Sequence, residues 1–184
     1  GEGAVTMFFF PAAALAVVAA AEALVASSSP AGRRQSVERV FEGDERPIVL
    51  YDGVCNMCNG AVNFALENDR DKKLRFAALQ SAVGRALLER SGRRPDDISS
   101  IVLVTKDRAY VKSEAVLRIG AVIRRHFPLG LLSPLAQALV PKPIADVTYD
   151  LVADNRYAFL GKRDQCRLDD NDFADRFIRD TDYT

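Results

Sequence analysis

The 184-residue chain is 48% apolar, enough to bury one ordinary domain and an appendage. Its 25 Lys and Arg balance 25 Asp and Glu, and Trp is absent, so neither a net field nor a basic, aromatic-interleaved face directs it to nucleic acid. Three cysteines, two of them tightly spaced, give no secreted disulfide framework and point to reactive thiols.

Residues 7–26, MFFFPAAALAVVAAAEALVA, are apolar except for Glu22. A run of this length just spans a bilayer core. Ser27 to Gly32 break the pattern, and Arg33 and Arg34 follow. A signal peptide, a membrane anchor and an Ala-rich helix packed on protein all fit such a run. No basic residue precedes it, which favours a retained segment, and an anchor is the expectation carried forward. The two arginines would then put the rest of the chain on the stromal, matrix or cytosolic side. In those reducing compartments a close cysteine pair is catalytic or metal-binding and seldom structural. The expected division is an apolar segment over 1–34, a polar linker or short amphipathic helix over 35–46, a core over 47–126 and a helical extension over 127–184.

The core opens on Ile48 to Tyr51, a short apolar run that reads as a buried strand. Asp52-Gly53 is a turn dipeptide. Cys58, Ala61, Val62, Ala65 and Leu66 then recur at helical spacing, so a helix is expected from Cys55 to about Asn68. Leu74 to Ala78 is a second strand, and Ser81 to Arg90 a second helix stopped near Gly92. Ile101 to Val104 and Ala109 to Lys112 make an antiparallel hairpin about Lys106-Asp107-Arg108. Ser113 is expected to cap a helix over Glu114 to His126. The order β-α-β-α-β-β-α resembles that of a thioredoxin-like α/β domain, which is the expected fold class. Beyond it, Leu129, Leu131, Leu132, Leu135, Leu139 and Val140, broken by prolines, suggest short helices packed over the sheet or lying at a membrane surface, the first being preferred. The Asp-rich tail from Asp164 reads as a solvated helix.

Strand, tight turn, cysteine, helix is the arrangement that thiol–disulfide chemistry needs. A cysteine at the first turn of a helix meets unpaired N–H groups and the positive end of the dipole, which favour thiolate over thiol. A second cysteine three residues on lies one helical turn away, within reach of a disulfide. Cys55 is thus the candidate attacking thiolate and Cys58 the resolving thiol. Asp52 either accepts hydrogen bonds in the turn or relays a proton to Cys58, and the first role is preferred. Cys166 could exchange with the pair or be an inert thiol.

With those residues in place, Pro47 to about Leu168 resembles the DCC family of thiol–disulfide oxidoreductases, named for an Asp-Cys-Cys signature, here Asp52, Cys55 and Cys58. Tyr51 to Asn59 matches the signature, Phe76 to Ser81 resembles the second block and Ser113-Glu114-Ala115 the third. Tyr149, Asn155-Arg156-Tyr157 and Gly161 to Cys166 resemble the carboxyl-terminal block. The resemblance implies exchange with protein disulfides or dithiols, without cofactor or metal. Organelle-targeting extensions of plant and algal members suit a chloroplast thylakoid address over a mitochondrial one, with residues 7–26 as the membrane contact. Thioredoxins place a cis-proline before the third strand, where this chain has Asp97-Ile98-Ser99-Ser100-Ile101, so docking should differ from theirs. Two other readings stand beside this one. Cys55, Cys58, Cys166 and His126 could form a zinc site, although a single Cys-x-x-Cys after a buried strand argues against it. A thioredoxin-like domain on an apolar segment could also serve as a non-catalytic subunit of an organelle membrane complex.

Overall fold

The computed structural model describes residues 37–123, 139–162 and 171–182. The apolar run 7–26, Arg33, Arg34, His126, most of the leucine-rich stretch and Cys166 lie outside them. Among the described residues no helix is long and apolar enough to cross a membrane.

Four strands form the sheet: β1 (Ile48–Tyr51), β2 (Arg75–Ala78), β3 (Val102–Val104) and β4 (Ala109–Val111), in the order β2-β1-β3-β4. β1 runs parallel to β2, with Val49 opposite Phe76, and antiparallel to β3, with Val49 opposite Leu103. β3 and β4 pair antiparallel as the expected hairpin. Every residue of β1, β2 and β3 is buried, which is why β1 and β3 read as continuous apolar runs instead of alternating ones, while β2 opens on the buried Arg75. This mixed α/β sheet, with the β-α-β-α-β-β-α order around it, is consistent with a thioredoxin-like core.

Helices cover both faces. On one, Val83, Leu87 and Leu88 of α2 (Ala82–Arg90) pack against Ile48, Leu50, Ala77, Val102 and Val104. On the other, Val62, Ala65 and Leu66 of α1 (Asn56–Asn68) and Ala115 and Ile123 of α3 (Lys112–Ile123) meet Val49, Tyr51, Phe76 and Leu103. Ser81 caps α2 as its sequence position suggests, its Oγ accepting the Gly84 N–H at 3.0 Å. Gly84 sits so close to β2 that a Cβ there would lie 2.0 Å from the Ala78 carbonyl oxygen.

Of the two readings of 35–46, residues 37–41 fit the short amphipathic helix: 37–39 are helical, Val37, Val40 and Phe41 are buried with α2 while Glu38 and Arg39 are exposed, and Arg75 holds the following loop by donating to the carbonyls of Val40, Asp44 and Arg46. Two expectations are corrected. Ser113 is not a cap, because α3 starts at Lys112 directly from β4. Its hydroxyl donates instead to Asp146. The described part of the tail, 171–182, is not a solvated helix. Residues Asn171–Arg176 form a 3₁₀ turn, Arg176 is buried against Asp69 at 2.5 Å, and Phe177 pairs beside Phe76 with ring centroids 5.8 Å apart. That bridge covers the outer edge of β2, an edge otherwise open to further pairing.

Two further helices complete the described chain. α4 (Lys142–Asp154) packs along α3 through Ser113–Asp146 and Lys112–Asp150, the latter at 2.7 Å. α5 (Arg156–Leu160) follows after Asn155 and returns the chain to the amino-terminal end of α1.

Candidate functional site

The carboxyl end of β1 delivers Asp52, Gly53 and Val54 into a tight turn closed by the Cys55 N–H on the Asp52 carbonyl at 3.2 Å. Cys55 then leaves the turn in an extended conformation and caps α1: its Sγ accepts the Cys58 N–H at 3.4 Å. A polar residue usually fills this position, so the thiol sulfur takes the place of a capping oxygen. Asn59 fastens the loop from below, donating to the carbonyls of Gly53 at 2.9 Å and Cys55 at 2.8 Å.

Asp52 is 3% exposed, and both its oxygens are taken. Oδ1 accepts the Val54 N–H at 3.2 Å and Gln80 Nε2 at 2.7 Å, while Gln80 Oε1 in turn accepts the Gly53 N–H at 3.1 Å. Oδ2 accepts the Tyr157 hydroxyl and Arg156 Nη2, the latter at 3.4 Å. These four donors match the four lone-pair sites of a carboxylate. Arg156 is itself buried and also donates to the Ala153, Ile98 and Tyr157 oxygens. Lys162 lies over the Tyr157 ring, its Nζ 4.0 Å from the centroid.

The two thiols stand in different surroundings. Cys55 is wholly buried and Cys58 partly so. Burial, the hydrogen bond to the Cys55 sulfur and the charges of Cys55 and Asp52 push the Cys58 thiol up to about 12. Burial also raises the Tyr149 phenol, and burial with the hydrogen bond to Asp52 pushes Tyr157 up to about 12. Tyr149 accepts the Ile101 N–H at 2.8 Å, at the stretch where thioredoxins have their cis-proline. No cis peptide occurs among the described residues.

The start of α1 is joined to the end of α5 and the two residues after it. The Asn56 N–H donates to the Gly161 carbonyl at 3.4 Å, Asn56 Nδ2 to the Leu160 carbonyl at 2.8 Å, and Cys55 pairs with Lys162 in a single antiparallel bridge. The predicted trio Asp52, Cys55 and Cys58 is therefore brought together. Gln80, Arg156, Tyr157 and Gly161–Lys162 join it without having been assigned a role from sequence. Their only signal was membership in blocks whose purpose one chain does not reveal. Among the described residues no three or more His, Cys, Asp or Glu side chains are placed to hold a metal ion, and the other two members of the zinc reading, Cys166 and His126, lie outside them.

Comparison with known proteins bears on the same residues. A family model described as DCC1-like thiol-disulfide oxidoreductase matches residues 49–162. A DCC family protein of Arabidopsis thaliana, described as chloroplastic, is 52% identical over 143 residues, 74% of this chain and 81% of the relative. The uncharacterized protein YuxK of Bacillus subtilis is 37% identical over 131 residues, 71% of this chain and 93% of that protein. No solved structure gives a significant match.

Proposed function

Because the chain belongs to the DCC1-like thiol–disulfide oxidoreductase family, we propose that Cys55 and Cys58 exchange electrons with protein disulfides and dithiols. The observation that carries the assignment of roles is the inequality of the two thiols. Cys55 caps the helix and receives the Cys58 N–H, whereas Cys58 is held protonated, so the resting dithiol offers Cys55 as nucleophile.

In the reducing direction the Cys55 thiolate attacks one sulfur of the substrate disulfide. A new S–S bond forms, the substrate bond breaks, and the leaving thiolate takes a proton from water. Two of the causes that keep Cys58 protonated, the hydrogen bond and the charge of Cys55, vanish once Cys55 is in the mixed disulfide. Cys58 then ionises more easily, attacks Cys55 Sγ and releases the second substrate thiolate. The substrate gains two electrons and the cysteine pair loses them; an external dithiol, itself oxidised to a disulfide, restores the pair, and the same steps reversed oxidise a dithiol. With every lone pair of Asp52 engaged, its part is to position the turn.

Location follows the relative. An organelle address, with the chloroplast favoured, is supported by the description of the Arabidopsis protein. Tethering to the thylakoid through residues 7–26, with the domain on the stromal side, is the finer proposal and rests on the apolar run and on Arg33 and Arg34.

Trapping tests the roles. Cys58→Ser should accumulate mixed disulfides through Cys55 on incubation with a disulfide protein such as insulin, and Cys55→Ser should accumulate none. Equal trapping by both variants overturns the assignment.

A further inference from the structure

Cys55, the thiol assigned to attack, is 0% exposed, and Cys55 and Asn56 are paired with main chain from Leu160 to Lys162. Leu160 and Gly161 present their carbonyls to Asn56, and Lys162 pairs with Cys55 as one rung of an antiparallel ladder. Pairing of this kind reads backbone and ignores sequence, which is how an extended peptide is held on a strand edge. The covering residues are also poorly anchored by apolar packing: Phe159 and Leu160 are 66% and 59% exposed. Their seat depends on the Asn56 bonds, the Tyr157 and Arg156 bonds to Asp52, and Gly161, whose φ of 75° and ψ of −174° fall in a region open essentially to glycine alone. Segments held by few apolar contacts open at low free energy.

We propose that Cys55 and Asn56 form a docking edge for an extended polypeptide, and that Leu160–Lys162 is a strap occupying this edge until a substrate segment displaces it. This rests on the exchange chemistry proposed above and adds its substrate form: a disulfide in a mobile or extended stretch that can take over the strap's contacts with Asn56. Exchange then begins with release of the strap, and Phe159 and Leu160 move with it.

The test is labelling of Cys55 by iodoacetamide in the folded Cys58→Ser chain, located by tandem mass spectrometry. Cys55 should react about a hundredfold more slowly than in the same chain unfolded by urea. Gly161→Ala, strained at its positive φ, should speed labelling about tenfold while the melting temperature of the domain barely moves. If Gly161→Ala does not fold, Tyr157→Phe, which removes the hydroxyl bond to Asp52, should speed labelling in the same direction. Hydrogen exchange of the Asn56 amide reports seating of the strap directly. Rapid labelling of the folded parent chain overturns the proposal, as does a loosened Asn56 amide with unchanged labelling. Trapping of insulin with unchanged labelling sinks the strap and leaves the exchange chemistry; faster labelling without trapping does the reverse.

Discussion

Replacing Arg176 by Met tests whether the tail is part of the domain. The guanidinium and the Asp69 carboxylate are each 1% exposed in side-chain terms and 2.5 Å apart. Arg176 Nε also donates to the Leu74 carbonyl at 2.5 Å, and the guanidinium lies 5.7 Å from the Phe76 ring centroid. Met keeps the apolar stem and removes the charge. Asp69 retains the N–H groups of Lys73 and Leu74 but loses its counter-charge, and breaking a buried pair from one side costs about 3–5 kcal/mol. Against a domain stability of roughly 5–15 kcal/mol this is a large fraction. At about 2–4 °C per kcal/mol for a chain of this size, the melting temperature should fall by roughly 6–20 °C. Urea unfolding followed by circular dichroism gives the free energy directly. Adding Asp69→Asn to the variant should cost less than the sum of the two single changes by about 1–3 kcal/mol, since no lone charge is left buried. A loss under about 1 kcal/mol, or strict additivity, would show that the pair behaves as a surface pair and refute the reasoning.

Two other outcomes follow from the geometry. Gly84→Ala forces a methyl toward the Ala78 carbonyl, which is backbone and cannot yield, and should destabilise by roughly 1–3 kcal/mol; Gly60→Ala in the same protein meets nothing within 4 Å and should stabilise by about 0.5–1 kcal/mol, so urea titrations giving both the same sign contradict the packing argument. Alkylation of Cys58 in the reduced chain should keep rising with pH past the ordinary thiol value of 9.0 toward about 12, and a plateau near 9 argues against the protonated thiol. The stability linked to that raised value is fully present below the unfolded thiol's range and lost as pH climbs through about 12.

Much of the inner sheet was legible because its signals are local. Ile48 to Tyr51, the Ser81 cap and the hairpin about Lys106 to Arg108 each declare themselves within a few residues. The site's centre was equally plain, since turn, cysteine and helix are consecutive. What one chain could not reveal was pairing over long separations. Arg176 in an Asp-rich tail looks solvated until Asp69 is beside it, and Tyr157 looks like any helical aromatic until its hydroxyl reaches Asp52. Ser113 was misjudged for a related reason: a serine ahead of a helical pattern fits a cap, but β4 passes straight into α3 and Asp146 claims the hydroxyl.

The order of these parts along the chain has a consequence during synthesis. Cys55 leaves the ribosome about a hundred residues before Lys162, which pairs with it. At roughly 5–20 residues per second the gap lasts on the order of 5–20 s. Once Ala78 is out, β1, α1 and β2 are all made and the helix with its thiols can form, while Lys162 is still to be translated. The nascent protein therefore passes through a stage that the finished one lacks, in which the edge at Cys55 and Asn56 is still unpaired.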